Sequence, residues 1–471
     1  MDATVPLLES MNRVADPLAD RTVAAIFGPW NDAPGGNDAA LKRLARATRL
    51  MAQWDSNAGL AGWNPTCEPA DAPLVAALRE YLAEGCKLPD WTHADQVTRA
   101  GTVFMQEGPL SCVLLFCASL PECYVPPRLA EVLHVAGQLE AHTEHRIRQT
   151  AAMVFPVMLK GGLTTGAGCG VAQVLKVRLI HATIRHLILH GNPQQAAGVV
   201  ATLSANGQPD NLHAALMGHG WDVDRNGLPC NQLELAYTLL TFSYVFLRCM
   251  RTMGLGLPPA DERAVLHIWN VAGHVLGVRD ELMAHDYDEA TRLFERMRDV
   301  ARTAPGVPDP RPALGRALMN AMASSVRLPV LRSLPLPMTQ WLIGRQAAAD
   351  IGILDAAPAP ARLLFTLARA LTRAVDASVR CFLPQFSISR TFTRVVGYRL
   401  LSRFLLDQTR PLTLPDQVLN PMREAVAQWH HEPRAPGWLN WLEDALTVNG
   451  PWIATTPKAH TASIPARPEQ H

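Results

Sequence analysis

The 471-residue chain balances 43 Lys plus Arg against 42 Asp plus Glu, and its 48% hydrophobic and 18% charged residues place it among folded globular proteins rather than disordered ones. A formal net charge of +1 excludes a summed field built for nucleic acid or another polyanion. The nine cysteines form no C-x-x-C pair and no zinc spacing, which predicts free, mostly buried thiols in a reducing compartment.

In chain order, a Pro/Gly break at residues 31–37 separates a short N-terminal helical stretch from an amphipathic helix over 39–53, where Leu41, Leu44, Leu50 and Met51 recur at helical spacing. A Gly/Pro-rich loop over 57–70 precedes a helix over 72–85. Helical patterns continue over 97–116, 127–159, 171–191, 211–218, 232–254, 260–277, 288–302 and 338–350, with Pro-rich breaks around 304–314 and 329–337. No stretch alternates apolar and polar residues at period two across several strands, so the fold class is all-α. The glycines between Gly161 and Gly170 read as a flexible link before the 171–191 helix, with a role in opening a pocket.

Three regions follow: an N-terminal helical extension over 1–94, a catalytic domain over 95–355, and a C-terminal helical region over 356–471 ending in a polar tail. The first residues carry no basic leader, and no uncharged apolar run reaches the ~18 residues a bilayer-spanning helix needs, so the expected address is the cytoplasm. Repeated arginines between 361 and 407 allow a packed helix with a solvated basic face, or contact with a membrane surface.

The chemistry concentrates on the 171–191 helix. Arg178 lies three residues before His181 and Arg185 four after it, which puts both guanidiniums on the imidazole's face. That arrangement suits a flat metallomacrocycle whose iron takes the imidazole while its carboxylates meet arginine. Spacing alone leaves open a hydrogen-bonded core histidine. Upstream, Arg146 and Thr150 are four apart on one helical face, able to point at one small ligand and to donate hydrogen bonds as charge develops on oxygen.

Several runs together carry a resemblance. Arg146-x-x-x-Thr150, then Lys176-Val-Arg178-Leu-Ile-His181-Ala-x-x-Arg185, then Asn231-Gln232-Leu-Glu234 and the segment His267–Gly277 resemble, in order, the bacterial and fungal haem b oxygenases that include the latex-clearing rubber oxygenases and the mycophenolic-acid-pathway oxygenase. The resemblance covers roughly residues 95–355. It implies a multi-helix domain with a globin-like haem-holding core, haem b as cofactor, and oxidation of a hydrophobic small molecule by dioxygen at a carbon–carbon double bond.

By the same resemblance His181 is the iron ligand, Arg178 and Arg185 contact or position the haem propionates, and Arg146 and Thr150 line the distal side as catalytic residues. Gln149 stands where the rubber oxygenases carry a lysine, so the distal side of this chain differs from theirs. Glu131, Glu140 and Glu144 all fall near the expected catalytic carboxylate, and none is assigned. Two other readings compete: a non-catalytic helical haem or lipid carrier, and a di-iron carboxylate site built on Glu131-Val-Leu-His134, Glu140, His142, Glu144 and His145.

Overall fold

In the computed structural model, residues 4–31, 37–137, 150–191, 216, 218–302, 309–325 and 332–380 are described. Among them there is helix and no strand. The helices in order are α1 (Val5–Met11), α2 (Pro17–Phe27), α3 (Asp38–Met51), α4 (Ala72–Gly85), α5 (Ala94–Leu114), α6 (Leu120–Cys123), α7 (Pro127–Gly137), α8 (Gly170–His190) and α9 (Val223–Asn226). They continue with α10 (Gln232–Phe242), α11 (Tyr244–Thr252), α12 (Pro259–Val275), α13 (Tyr287–Ala301), α14 (Arg311–Ser325), α15 (Pro335–Asp350) and α16 (Ala359–Arg380). A further helical stretch spans 150–158.

Local sequence sets several of these boundaries. Asp16 caps α2, accepting from the Ala19 N–H at 3.3 Å, with Pro17 at the first helical position. Asp286 caps α13 by accepting from the Glu289 N–H, while Glu289 accepts from the His285 N–H, a reciprocal pair that satisfies two donors otherwise left open. Between α5 and α6 the ladder widens into a π-helical turn, Leu115–Ser119. The chain also bends by 83° between Ala94–Gly108 and Leu110–Cys123, where Pro109 supplies no N–H.

One apolar core runs through the described residues, from Leu8 on α1 to Ile353 after α15. α12 is buried on nearly all sides and lies along α5. The stretch Gln232–Thr252, formed by α10 and α11, is long and apolar enough to cross a bilayer, yet 83% of its most apolar window is buried inside the protein. It is read as the core helix pair, interrupted at Ser243, whose φ of −95° and ψ of −71° depart from helical values.

The N-terminal segment packs directly on the helix that carries His181. α2 lies between α4 and α8. The Tyr81 hydroxyl on α4 donates to the Leu175 carbonyl at 2.9 Å, and the Lys176 ammonium donates to the Trp54 carbonyl at 3.0 Å. Residues assigned from sequence to an extension thus supply the bed of α8.

The glycine-rich approach to α8 is compact, contrary to the flexible link expected. Asn57 donates to the Gly162 and Thr165 carbonyls at 2.8 and 2.9 Å and accepts from the Val171 N–H at 3.1 Å. A Cβ on Gly162 would stand 1.8 Å from the Pro156 carbonyl oxygen, and one on Gly168 2.4 Å from that of Gly161. Glycine is required here for close backbone approach.

Candidate functional site

α8 presents the predicted triad of Arg178, His181 and Arg185. His181 is half-buried, but its Nδ1 is sealed from solvent and has no hydrogen-bond partner. Burial, reinforced by the positive charge of Arg185, lowers its pKa to about 4. The imidazole is therefore neutral at physiological pH, the form that ligates a metal. A buried ring nitrogen without a partner carries a desolvation cost of ~1–3 kcal/mol unless something satisfies it.

The two arginines are held by protein partners. Arg178 pairs with Asp16 through Nε at 2.5 Å and Nη2 at 2.8 Å, and its Nη1 donates to the Val275 carbonyl at 3.1 Å. Arg185 donates through Nη1 to Asp20 at 2.5 Å, through Nε to the Pro229 carbonyl at 3.0 Å and through Nη2 to the Cys230 carbonyl at 2.7 Å. Burial raises the Asp20 pKa, opposed by Arg185. Each terminal nitrogen keeps one further N–H. In this structure the guanidiniums lock α8 to α2, α12 and the loop before α10, fixing the direction of the His181 side chain.

A second histidine on α8 also has a sealed nitrogen, Nε2 of His186. Its ring, however, stacks on Phe27 at 4.5 Å and on His190 at 4.0 Å, with Trp30 edge-on at 5.5 Å. That aromatic cluster occupies the ring, whereas no aromatic contact engages His181 among the described residues.

Thr150 is half-buried at the start of the 150–158 helix. Arg146, Gln149, Glu140, His142, Glu144 and His145 lie outside the described residues. Glu131 Oε1 and His219 Nε2 are hydrogen-bonded at 3.1 Å. Among the described residues no three His, Cys, Asp or Glu side chains form a group able to hold a metal ion.

The 150–158 helix leads into an apolar pocket that is partly open to solvent. Val103, Phe104, Val154, Met158, Phe246 and Trp269 line it, and Leu115 and Ser119 from the π-helical turn close one side. Thr150, Val154 and Met158 are spaced i, i+4, i+8, so the face that bears the threonine hydroxyl continues into the cavity wall. The bend in α5 wraps the same space, with Phe104 before it and Ser111 after it. π-helical turns recur at functional sites.

Sequence reasoning did not single out Asp16, Asp20 or a carboxylate function for Glu234. The aspartates are about 160 residues from their partners, and no local pattern links them. Glu234 carried a local signal, its place three residues after the α10 cap Asn231, which accepts from the Glu234 N–H at 3.0 Å.

The sequence model for "ER-bound oxygenase mpaB/B'/Rubber oxygenase, catalytic domain" matches residues 113–377. A rubber oxygenase from Streptomyces sp. (strain K30) is 23% identical over 301 residues, a stretch that spans 63% of each chain. The solved structure of latex clearing protein LCP in its closed state superposes with a TM-score of 0.57 at 20% identity, over 89% of this chain and 90% of that one. The likeness in structure confirms the all-α fold.

Proposed function

Because this chain belongs to the family of ER-bound mpaB/B′ and rubber oxygenase catalytic domains, we propose that it is a haem b-dependent oxygenase of a hydrophobic small molecule, with His181 as the residue that would bind the haem iron. The observation that carries this reading is the neutral imidazole of His181 with a sealed, unsatisfied ring nitrogen, set between two arginines that immobilise its helix. The donor set fits haem: a neutral imidazole for iron, and guanidiniums with N–H groups to spare for propionates.

When bound, haem supplies the iron at which dioxygen is activated. The protein's own contribution is positional. Asp16 and Asp20 hold Arg178 and Arg185, and these hold α8, so the imidazole keeps one direction. The apolar pocket would take a hydrocarbon portion of the substrate along the face that carries Thr150. Thr150 and Arg146 are proposed as the distal hydrogen-bond donors. Gln149 offers a carboxamide where the rubber oxygenases carry a lysine, so no amine from that position competes for the iron.

Oxygen uptake tests the assignment. The haem-loaded protein, given a short unsaturated isoprenoid, is expected to consume dioxygen, the saturated analogue should support none, and Arg146→Ala and Thr150→Ala should lose turnover while retaining haem. Absence of uptake across a panel of unsaturated apolar substrates, or full turnover in both variants, contradicts it.

A further inference from the structure

Beside the His181 helix lies a buried carboxylate that the proposed chemistry does not use. Glu234, at the third position of α10, is 6% exposed. Neither carboxyl oxygen has a hydrogen-bond partner, although the Asn231 and Cys230 backbones lie close enough to favour its ionised form. Cys230, four residues earlier, has a φ of +52°, the one positive φ at a non-glycine position among the described residues. A side chain held in that region is strained and persists where the surroundings over-determine it. Here the over-determining contact is visible: the Cys230 carbonyl accepts from Arg185 Nη2 at 2.7 Å, and Arg185 Nε takes the neighbouring Pro229 carbonyl.

The charged groups around this carboxyl come from three directions. Arg128 on α7 and Arg185 on α8 act on it directly. Arg225 on α9 faces Arg128, Asp20 on α2 balances Arg185 from the other side, and the Cys230 thiol, pushed by burial to about 12, stays neutral. Arg185 is thus bonded to a half-buried aspartate, acts through space on a buried glutamate, and is also the cation that acts on the His181 imidazole.

We propose that Glu234 is a positioning residue for the His181 side of the site, its buried carboxyl setting through Arg185 the electrostatic field at the imidazole. Ionised, Glu234 offsets the guanidinium charge and makes the imidazole a better electron donor; protonated, it leaves that charge balanced by Asp20 alone. Burial raises the Glu234 pKa to about 7, with Asn231, Cys230, Arg128 and Arg185 opposing, so the two states exchange near neutrality. This inference rests on the proposed role of His181 only in its second test.

The first test uses the protein without haem. In wild type labelled with ¹⁵N-histidine, the His181 ring resonances should shift in a step near pH 7 although the ring itself stays neutral there. The step should be absent in Glu234→Gln and present, at a displaced pH, in Glu234→Asp. A wild-type His181 signal that is flat across neutral pH overturns the proposal without recourse to any variant, as does an unchanged step in Glu234→Gln.

The second test measures the midpoint potential of bound haem against pH. Wild type should show a fall across neutrality that Glu234→Gln lacks at equal haem content, and identical profiles also overturn the proposal. A step in the haem-free protein combined with failure to take up haem would contradict the oxygenase reading and leave the Glu234 coupling standing.

Discussion

Replacing Asp16 offers a quantitative probe of how the site is held. The Arg178–Asp16 pair is bidentate, at 2.5 and 2.8 Å, with side-chain exposures of 11% for the arginine and 4% for the aspartate. Asp16→Ala leaves a guanidinium enclosed with only the Val275 carbonyl as partner. Breaking a buried pair from one side costs ~3–5 kcal/mol, because the remaining charge is desolvated without compensation. Asp16 also caps α2, a contribution of ~1 kcal/mol on its own.

Asp16→Asn separates the two effects. Asparagine caps as well as aspartate does but carries no charge, so it should recover only the capping share. The double variant Asp16→Ala with Arg178→Met removes both charges and should be more stable than Asp16→Ala alone, a coupling that a double-mutant cycle reads directly. Urea unfolding of wild type, the two Asp16 variants, Arg178→Met and the double variant supplies the free energies, and haem content at saturation shows whether His181 keeps its direction. Asp16→Ala within ~1 kcal/mol of wild type, with full haem content, would refute the claim that this pair fixes α8.

Other outcomes follow from the same geometry. Gly277→Ala should reproduce the Asp16→Ala phenotype, since its φ is +89° and its Cβ would lie 2.6 Å from Asp16 Oδ2 and 2.8 Å from Arg178 Nε; an unchanged unfolding midpoint would contradict the crowding. Glu234 has a folded pKa raised to about 7 against an ordinary carboxyl value near 4.5, so the native state binds more protons between those values. Its contribution is therefore fully present below about pH 4.5 and is lost as pH rises through 7, a swing of ~3 kcal/mol that Glu234→Gln should abolish in pH-dependent unfolding. Val154→Phe should fill the cavity and lower the affinity of an apolar fluorescent probe with little change in haem content; unaltered probe binding would remove the cavity from the substrate path.

The helical class and most helix positions were legible because an amphipathic helix writes its period into the sequence, as in the 39–53 and 72–85 stretches. Arg178, His181 and Arg185 were legible as one face for the same reason. Their partners were not: the link from Asp16 to Arg178 spans 162 residues and depends on how α2 docks, which no local spacing encodes. The glycine run before α8 reads from sequence as a flexible link, because a glycine needed for close backbone contact and one needed for freedom look alike until Asn57 is seen pinning the loop. Ser243 is hidden for a related reason, since the continuous apolar run over 232–254 masks the interruption between α10 and α11.

The role of His181 is tested most directly by the absorption spectrum of purified wild type beside His181→Ala. Wild type is expected to show a Soret band and one haem per chain, with His181→Ala folded, as judged by its helical circular dichroism, and depleted of haem. A folded His181→Ala protein with the full wild-type spectrum and stoichiometry would contradict that role.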